Sequence, residues 1–205
     1  MQIKAPIAVQ HLPNSGVLPI IEAYFEFSHL KQLYRQGWLQ RGISPERCES
    51  VAEHSFGVAV LAFLLAETVG VNLDTCKVIR MALLHDFGEI YAGDITPADG
   101  MERVDKYNLE RQAVQRVLEK LPNSATYIAL WEEYEAGRTP EARFVRQMDR
   151  LEMILQASVY EHQNLANLEE FFESARPLLD TSPLQTIFQS LETLRVTHGD
   201  RETSG

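Results

Sequence analysis

Only two cysteines, Cys48 and Cys76, occur in the 205-residue chain, and they lack Cys-x-x-Cys spacing. That argues against a disulfide scaffold and against a thiolate zinc or redox site, and leaves both as ordinary reduced thiols. Positive charge is scarce as well: 19 Lys and Arg stand against 29 Asp and Glu, a formal net charge of −10. This is the wrong sign for a general binder of duplex DNA or anionic membranes. The most apolar stretch, residues 58–66, is far shorter than the ~20 residues of a membrane span, and Met1-Gln2-Ile3-Lys4-Ala5-Pro6 carries no apolar leader core. The expectation is a soluble, cytoplasmic protein with no nucleic-acid polymer and no membrane among its partners. No alternating period-2 run bounded by hairpin turns is present, and no repeat or low-complexity tract.

What is present is core-forming material, 45% hydrophobic and 9% aromatic, in a length suited to one domain. Pro6, Pro13, Asn14, Gly16 and Pro19 make residues 1–19 an irregular arm. The main domain is expected over 20–196, with a flexible tail over 197–205. Apolar residues at three- and four-residue steps predict a first core helix over 20–35 that breaks at Gln36-Gly37. Ser50-Val51-Ala52-Glu53 has capping-box form and starts a helix over 51–68 that closes at Gly70. Asp74 caps a helix reaching roughly 86–89, ended by Gly88, Gly93 and Pro97. Further helical patterns cover 102–121, 126–136, 140–160, 165–175 and 183–196, the third capped by Thr139 with Pro140 in the first turn. The last is introduced by Ser182-Pro183-Leu184-Gln185 in capping-box form. The fold class is therefore all-α, a bundle of about seven or eight helices.

Of six histidines, His11, His29, His162 and His198 have contexts that suit surface or packing roles. His54 and His85-Asp86 differ, because strongly apolar residues flank each: Val51 and Val58 around the first, Leu83, Leu84 and Phe87 around the second. Asp149 sits mid-helix, where an unpaired buried carboxylate is costly. Two imidazoles and two carboxylates supply mixed N/O ligands suited to one divalent Mn, Fe, Co, Ni or Zn ion rather than to all-oxygen calcium. Salt bridges to Arg35, Arg80 or Arg150 are the competing explanation.

The order His54, then Ala82-Leu83-Leu84-His85-Asp86, then Asp149 resembles the H…HD…D signature of the HD-domain metal-dependent phosphohydrolases. More narrowly, the chain is similar to the YfbR-type 5′-deoxynucleotidases and their eukaryotic HD-domain relatives. Glu49-Ser50-Val51-Ala52-Glu53-His54-Ser55, His85-Asp86-Phe87-Gly88-Glu89-Ile90-Tyr91-Ala92-Gly93-Asp94 and Met148-Asp149-Arg150-Leu151-Glu152-Met153-Ile154 carry the likeness. So do Trp131-Glu132-Glu133-Tyr134-Glu135 and the run from Leu30 through Arg35 to Trp38. The resemblance implies that His54, His85, Asp86 and Asp149 hold the metal and that Glu89 is the catalytic glutamate. It also implies that Arg35 and Trp38 lie near the nucleotide and Asp94 near its sugar, although some members have the Arg and Trp adjacent. A homodimer and a small-molecule nucleotide substrate follow from the same likeness.

Rivals within the superfamily fare worse. Guanosine-tetraphosphate hydrolases resemble His-Asp-x-x-Glu-Asp, whereas Ile90 follows Glu89 here. Dinuclear members need further histidines before the last aspartate, and none occurs between Asp86 and Glu161. The expected activity is hydrolysis of 2′-deoxyribonucleoside 5′-monophosphates. Another phosphomonoester substrate, or a non-catalytic nucleotide-binding module, stands as the alternative.

Overall fold

The computed structural model describes residues 1–13, 15–68, 72–179 and 181–202, with side chains described through Arg195. The helices are α1 (Pro19–Phe27), α2 (Gln36–Gln40), α3 (Val51–Leu65), α4 (Thr75–Leu84) and α5 (Glu89–Ala92), followed by α6 (Arg103–Leu118), α7 (Ser124–Ala136), α8 (Pro140–His162), α9 (Glu169–Ala175) and α10 (Ser182–Glu202). Eight of these have seven or more residues, and no strand occurs among the described residues. The all-α expectation stands.

Local chemistry explains the starts. Ser50 Oγ accepts the Glu53 N–H while Glu53 Oε2 accepts the Ser50 N–H, the reciprocal cap that opens α3. Asp74 and Thr139 cap α4 and α8 through the Lys77 and Ala142 N–H groups. Ser182 lies inside α10 rather than ahead of it. Helix α10 continues through Glu202, so residues 197–202 of the expected flexible tail are helical, while 203–205, the expected close at Gly70 and Asn14 of the arm lie outside the described residues.

Three expectations are corrected. The first helix does not run to residue 35: α1 ends at Phe27 and tightens into a 3-10 turn, Ser28–Lys31. Leu33 and Tyr34 then leave the helical path for isolated antiparallel bridges to Ile3 and Ser50. Gln36-Gly37, read as the break, opens α2 instead. The helix after Asp74 stops at Leu84, so His85 and Asp86 stand on the turn between α4 and α5. Within the arm, Ala8–His11 forms a 3-10 turn.

Two apolar clusters result. One, including Val58, Met81, Met148, Ile154 and Phe172, joins α3, α4 and α8 to α9. The other, including Ala23, Leu33, Ile90, Val117 and Trp131, ties α1 and α5 to α6 and α7. Helix α3 contributes Val51 to the second and Val58 to the first, which leaves His54 between them. Gly57 has a structural reason: a Cβ there would lie 2.8 Å from Glu152 Oε1, so the absent side chain lets α8 press its carboxylate against α3.

Candidate active site

His54 is 1% exposed and its two ring nitrogens face different groups. Nδ1 lies 2.5 Å from Glu152 Oε2, and Nε2 lies 3.1 Å from Asp149 Oδ1. Asp149 and Glu152 are three residues apart on α8 and so share one side of it. His85 donates from Nδ1 to the Ala82 carbonyl at 2.7 Å, which turns its Nε2 inward to 3.2 Å from Asp86 Oδ2. Asp86 Oδ2 is also 3.8 Å from His54 Nε2. The structure therefore brings together all four residues that the sequence singles out as ligands.

These donors fit a divalent metal on their own chemistry. Both imidazoles have Nδ1 engaged elsewhere, leaving Nε2 of each directed at the same carboxylates. Donor atoms of His54, His85 and Asp149 fall within 4.8 Å of one another. His85 Nε2 and Asp86 Oδ2 are buried without a hydrogen-bond partner, an arrangement that a shared cation relieves. Burial works against the ionised Asp86 and Asp149, yet the neighbouring histidines hold both carboxyls well below the usual carboxylate range. Burial and Arg35 oppose a charged His54, but Glu152 and Asp149 outweigh them and push it up to about 10.

Glu89 opens α5 and is 4% exposed. Its Oε2 is buried without a partner, and its Oε1 is 4.0 Å from Arg35 Nη1. Burial, then Asp86 and Asp94, push the Glu89 carboxyl well above its ordinary value despite Arg35 and Lys106. Arg35 Nη1 also faces Asp94 Oδ1 at 3.4 Å, and the Gln36 N–H donates to Asp94 Oδ2 at 2.5 Å. A cavity of about 900 Å³ opens over this group, lined by Arg35, Asp86, Glu89, Asp149 and, from α6, Lys106. That is enough for a nucleotide-sized ligand, whose sites commonly measure about 300–1,000 Å³.

Trp38 lines the same cavity, but its polar atom points away from it. The indole N–H donates to Glu49 Oε1 at 2.8 Å, and the ring packs on Phe171 and Tyr160. Phe87 and Ile90 belong to the second apolar cluster, as their types suggest. Sequence reasoning assigned no role to Glu49, Glu152 or Lys106. Glu49 and Glu152 offer atoms within 4.8 Å of each other and of His54, and burial plus Glu152 push Glu49 up to about 7. The signal for Glu152 was its three-residue step from Asp149 on one helix. Tyr134 adds a hydroxyl that donates to Asp149 Oδ2 at 3.4 Å, and Trp131 Nε1 donates to the His85 carbonyl at 3.1 Å.

Comparison with known proteins identifies the family. Residues 27–189 match the HD domain family. The chain is 36% identical over 198 residues to the 5′-deoxynucleotidase HDDC2 of Homo sapiens, covering 95% of each. It is 38% identical over 183 residues to the 5′-deoxynucleotidase HDDC2 of Dictyostelium discoideum, covering 79% of this chain and 95% of that one. Among solved structures, a conserved hypothetical protein from Pyrococcus furiosus superposes with a TM-score of 0.73 at 33% identity, covering 84% of this chain and 99% of that one. A predicted metal-dependent phosphohydrolase from Magnetospirillum magnetotacticum gives 0.70 at 32% identity, covering 88% and 93%. The chain belongs to the HD-domain family, in the same group as these 5′-deoxynucleotidases.

Proposed function

We propose that this protein is a metal-dependent 5′-deoxynucleotidase that hydrolyses 2′-deoxyribonucleoside 5′-monophosphates to deoxynucleoside and phosphate. The observation that carries the reading is one nucleotide-sized cavity lined by His85, Asp86 and Asp149 together with the buried Glu89 and Arg35, with His54 Nε2 within 4 Å of both aspartates. The activity named for the human and Dictyostelium relatives supports it.

On this reading His54, His85, Asp86 and Asp149 hold one divalent ion drawn from Co, Mn, Zn, Fe or Ni. When bound, such an ion neutralises phosphoryl charge and makes water a better nucleophile at neutral pH. Arg35 receives phosphoryl oxygens through its guanidinium fork and steadies the charge that develops there. Glu89, whose carboxyl burial holds well above its ordinary value, is the group placed to pass a proton to the departing 5′-oxygen as the P–O bond breaks and to take one from the attacking water. Asp94 faces the deoxyribose, and Trp38 forms apolar wall beside the nucleotide. Glu152 orients His54 and so sets which nitrogen faces the ion.

The protein works, on the same reading, as a cytoplasmic homodimer. An exposed apolar stripe of Phe56, Val60, Phe63 and Leu64 on α3 supports self-association, and no described helix is long and apolar enough to cross a membrane.

The test is phosphate release from dAMP by metal-stripped protein, with one divalent metal restored at a time. Release with at least one metal and none without is expected. Tight nucleotide binding with no phosphate under any metal would instead leave a nucleotide-binding module.

A further inference from the structure

Residues 1–4 lie along the segment that carries Arg35 and Gln36. Ile3 bridges Leu33, and the Lys4 N–H donates to the Gln32 carbonyl at 2.7 Å. Gln2 then binds the side chain of Gln36 at both ends: its N–H donates to Gln36 Oε1 at 2.8 Å, and its carbonyl accepts from Gln36 Nε2 at 2.8 Å. Gln36 is 6% exposed, and its Nε2 also reaches the Tyr34 carbonyl at 2.9 Å, so a buried amide is satisfied by backbone alone.

Gln36 in turn grips Asp94. Its own N–H is the donor to Asp94 Oδ2, while Asp94 Oδ1 faces Arg35. A second contact reaches the residue before Asp94. Gly93 has φ +80°, a conformation that favours glycine, and a Cβ there would run into the Met1 thioether. Met1 and Gln2 thus touch both supports of Asp94: the glycine that precedes it and the glutamine whose backbone binds its carboxylate.

We propose that the N-terminal segment is a positioning element for the sugar side of the site, with Gln2 and Gln36 as positioning residues that act through Asp94. The inference rests on the proposed deoxynucleotidase reading and adds a dependence on residues far from the metal donors. Its physical basis is that a carboxylate reading the sugar edge must be held to within a fraction of an ångström, since a ~1 Å misplacement can cost about a hundredfold in rate. Loss of the Gln2–Gln36 pair leaves buried polar groups unpaired on one side of that carboxylate's support.

The experiment compares Gln36→Met, Gln2→Pro and the double variant with the wild type. Gln36→Met keeps the side-chain length and removes the amide; Gln2→Pro removes the N–H that faces Gln36 Oε1 and fixes the local φ, while the carbonyl that accepts from Gln36 Nε2 is retained. The readouts are kcat/KM for dAMP and AMP, bound metal, and hydrogen exchange of the Gln36 amide. Each single variant is expected to lower the dAMP-over-AMP preference about tenfold, leave metal content unchanged and speed exchange at Gln36. The double variant should be no worse than the worse single one, because both changes remove one interaction. Lys4→Ala removes a side chain that faces Glu53 and the Tyr34 ring and keeps the backbone bond to Gln32, so it should keep the preference.

Equal losses for dAMP and AMP, or an equal shift in Lys4→Ala, would reduce the segment to a structural tie and overturn the proposal. If Gln36→Met fails to fold, Gln2→Pro decides alone. If the wild type shows no dAMP preference, the deoxynucleotidase reading fails. Exchange at Gln36 in Gln2→Pro then decides the positioning claim, which unchanged protection would refute.

Discussion

Nδ1 of His54 and Oε2 of Glu152 stand 2.5 Å apart in the buried contact between α3 and α8. The pair joins residues 98 positions apart in sequence and fixes which imidazole nitrogen is left for a metal. Gly57 leaves room for it: a Cβ there would lie 2.8 Å from Glu152 Oε1 and push that carboxylate aside.

Glu152→Ala therefore removes the orienting acceptor while leaving all four proposed ligands. Metal affinity is expected to fall about 10- to 100-fold, as is common when an outer hydrogen bond to a ligating histidine is lost. Titration of the metal-stripped variant measures this directly. Wild-type affinity in that variant would show that Glu152 does not orient the ligand.

Metal binding should also be proton-linked. His54, pushed up to about 10 by Glu152 and Asp149 against the effects of burial and Arg35, is protonated in the metal-free protein at neutral pH. A ligating imidazole must be neutral, so binding releases that proton and apparent affinity rises with pH, up to about tenfold per unit between pH 6 and 8. Calorimetric titration in buffers of different ionisation enthalpy counts the released proton. A count of zero would contradict the assignment of His54 as a ligand.

Glu89→Gln keeps the shape of the group and removes its proton transfer. The variant should bind metal normally and lose about 10²–10⁴-fold in kcat. A loss of activity explained entirely by missing metal would make Glu89 a ligand rather than the proton-transfer group.

Glu110 on α6, which lines the same cavity but is not among the proposed metal donors, offers a stability test. Burial pushes its carboxyl up to about 7, with Lys106 partly opposing and Glu135 and Asp86 adding to it. The folded state therefore holds this proton more tightly than the unfolded chain does. Its stabilising contribution is full below the ordinary glutamate range and is lost as pH rises through about 7. Glu110→Gln should raise the Tm of metal-free protein at pH 8 by at least ~2 °C and give no such gain at pH 5. A gain independent of pH would mean that ionisation of Glu110 is not the cause.

Legibility in the sequence followed the range of each interaction. His85, Asp86 and Glu89 sit within five residues, and their context is local, so motif reading reached them. The caps of α3, α4 and α8 were equally readable because each closes within three residues. Glu152 was not assigned, because its partner lies across the bundle on α3. Trp38 was matched to the nucleotide, yet the fold commits its N–H to Glu49, a contact no periodicity reports. The first helix is shorter than its apolar spacing predicts for a related reason. Its apolar spacing continues to Tyr34, but pairing with Ile3 and Ser50 captures that backbone and turns Arg35 toward Glu89.

Sugar discrimination tests the central claim most directly, since metal, glutamate and arginine together would serve any small phosphomonoester. Asp94 is held by the Gln36 N–H and faces Arg35 on the sugar side of the proposed substrate, where a 2′-hydroxyl would meet groups already paired. The measurement is kcat/KM for dAMP and AMP with the same restored metal. A preference for dAMP of about ten- to a hundredfold is predicted, the size expected when one added hydroxyl is left unaccommodated. Equal values for the two nucleotides would contradict the deoxynucleotidase account and leave a general phosphomonoesterase.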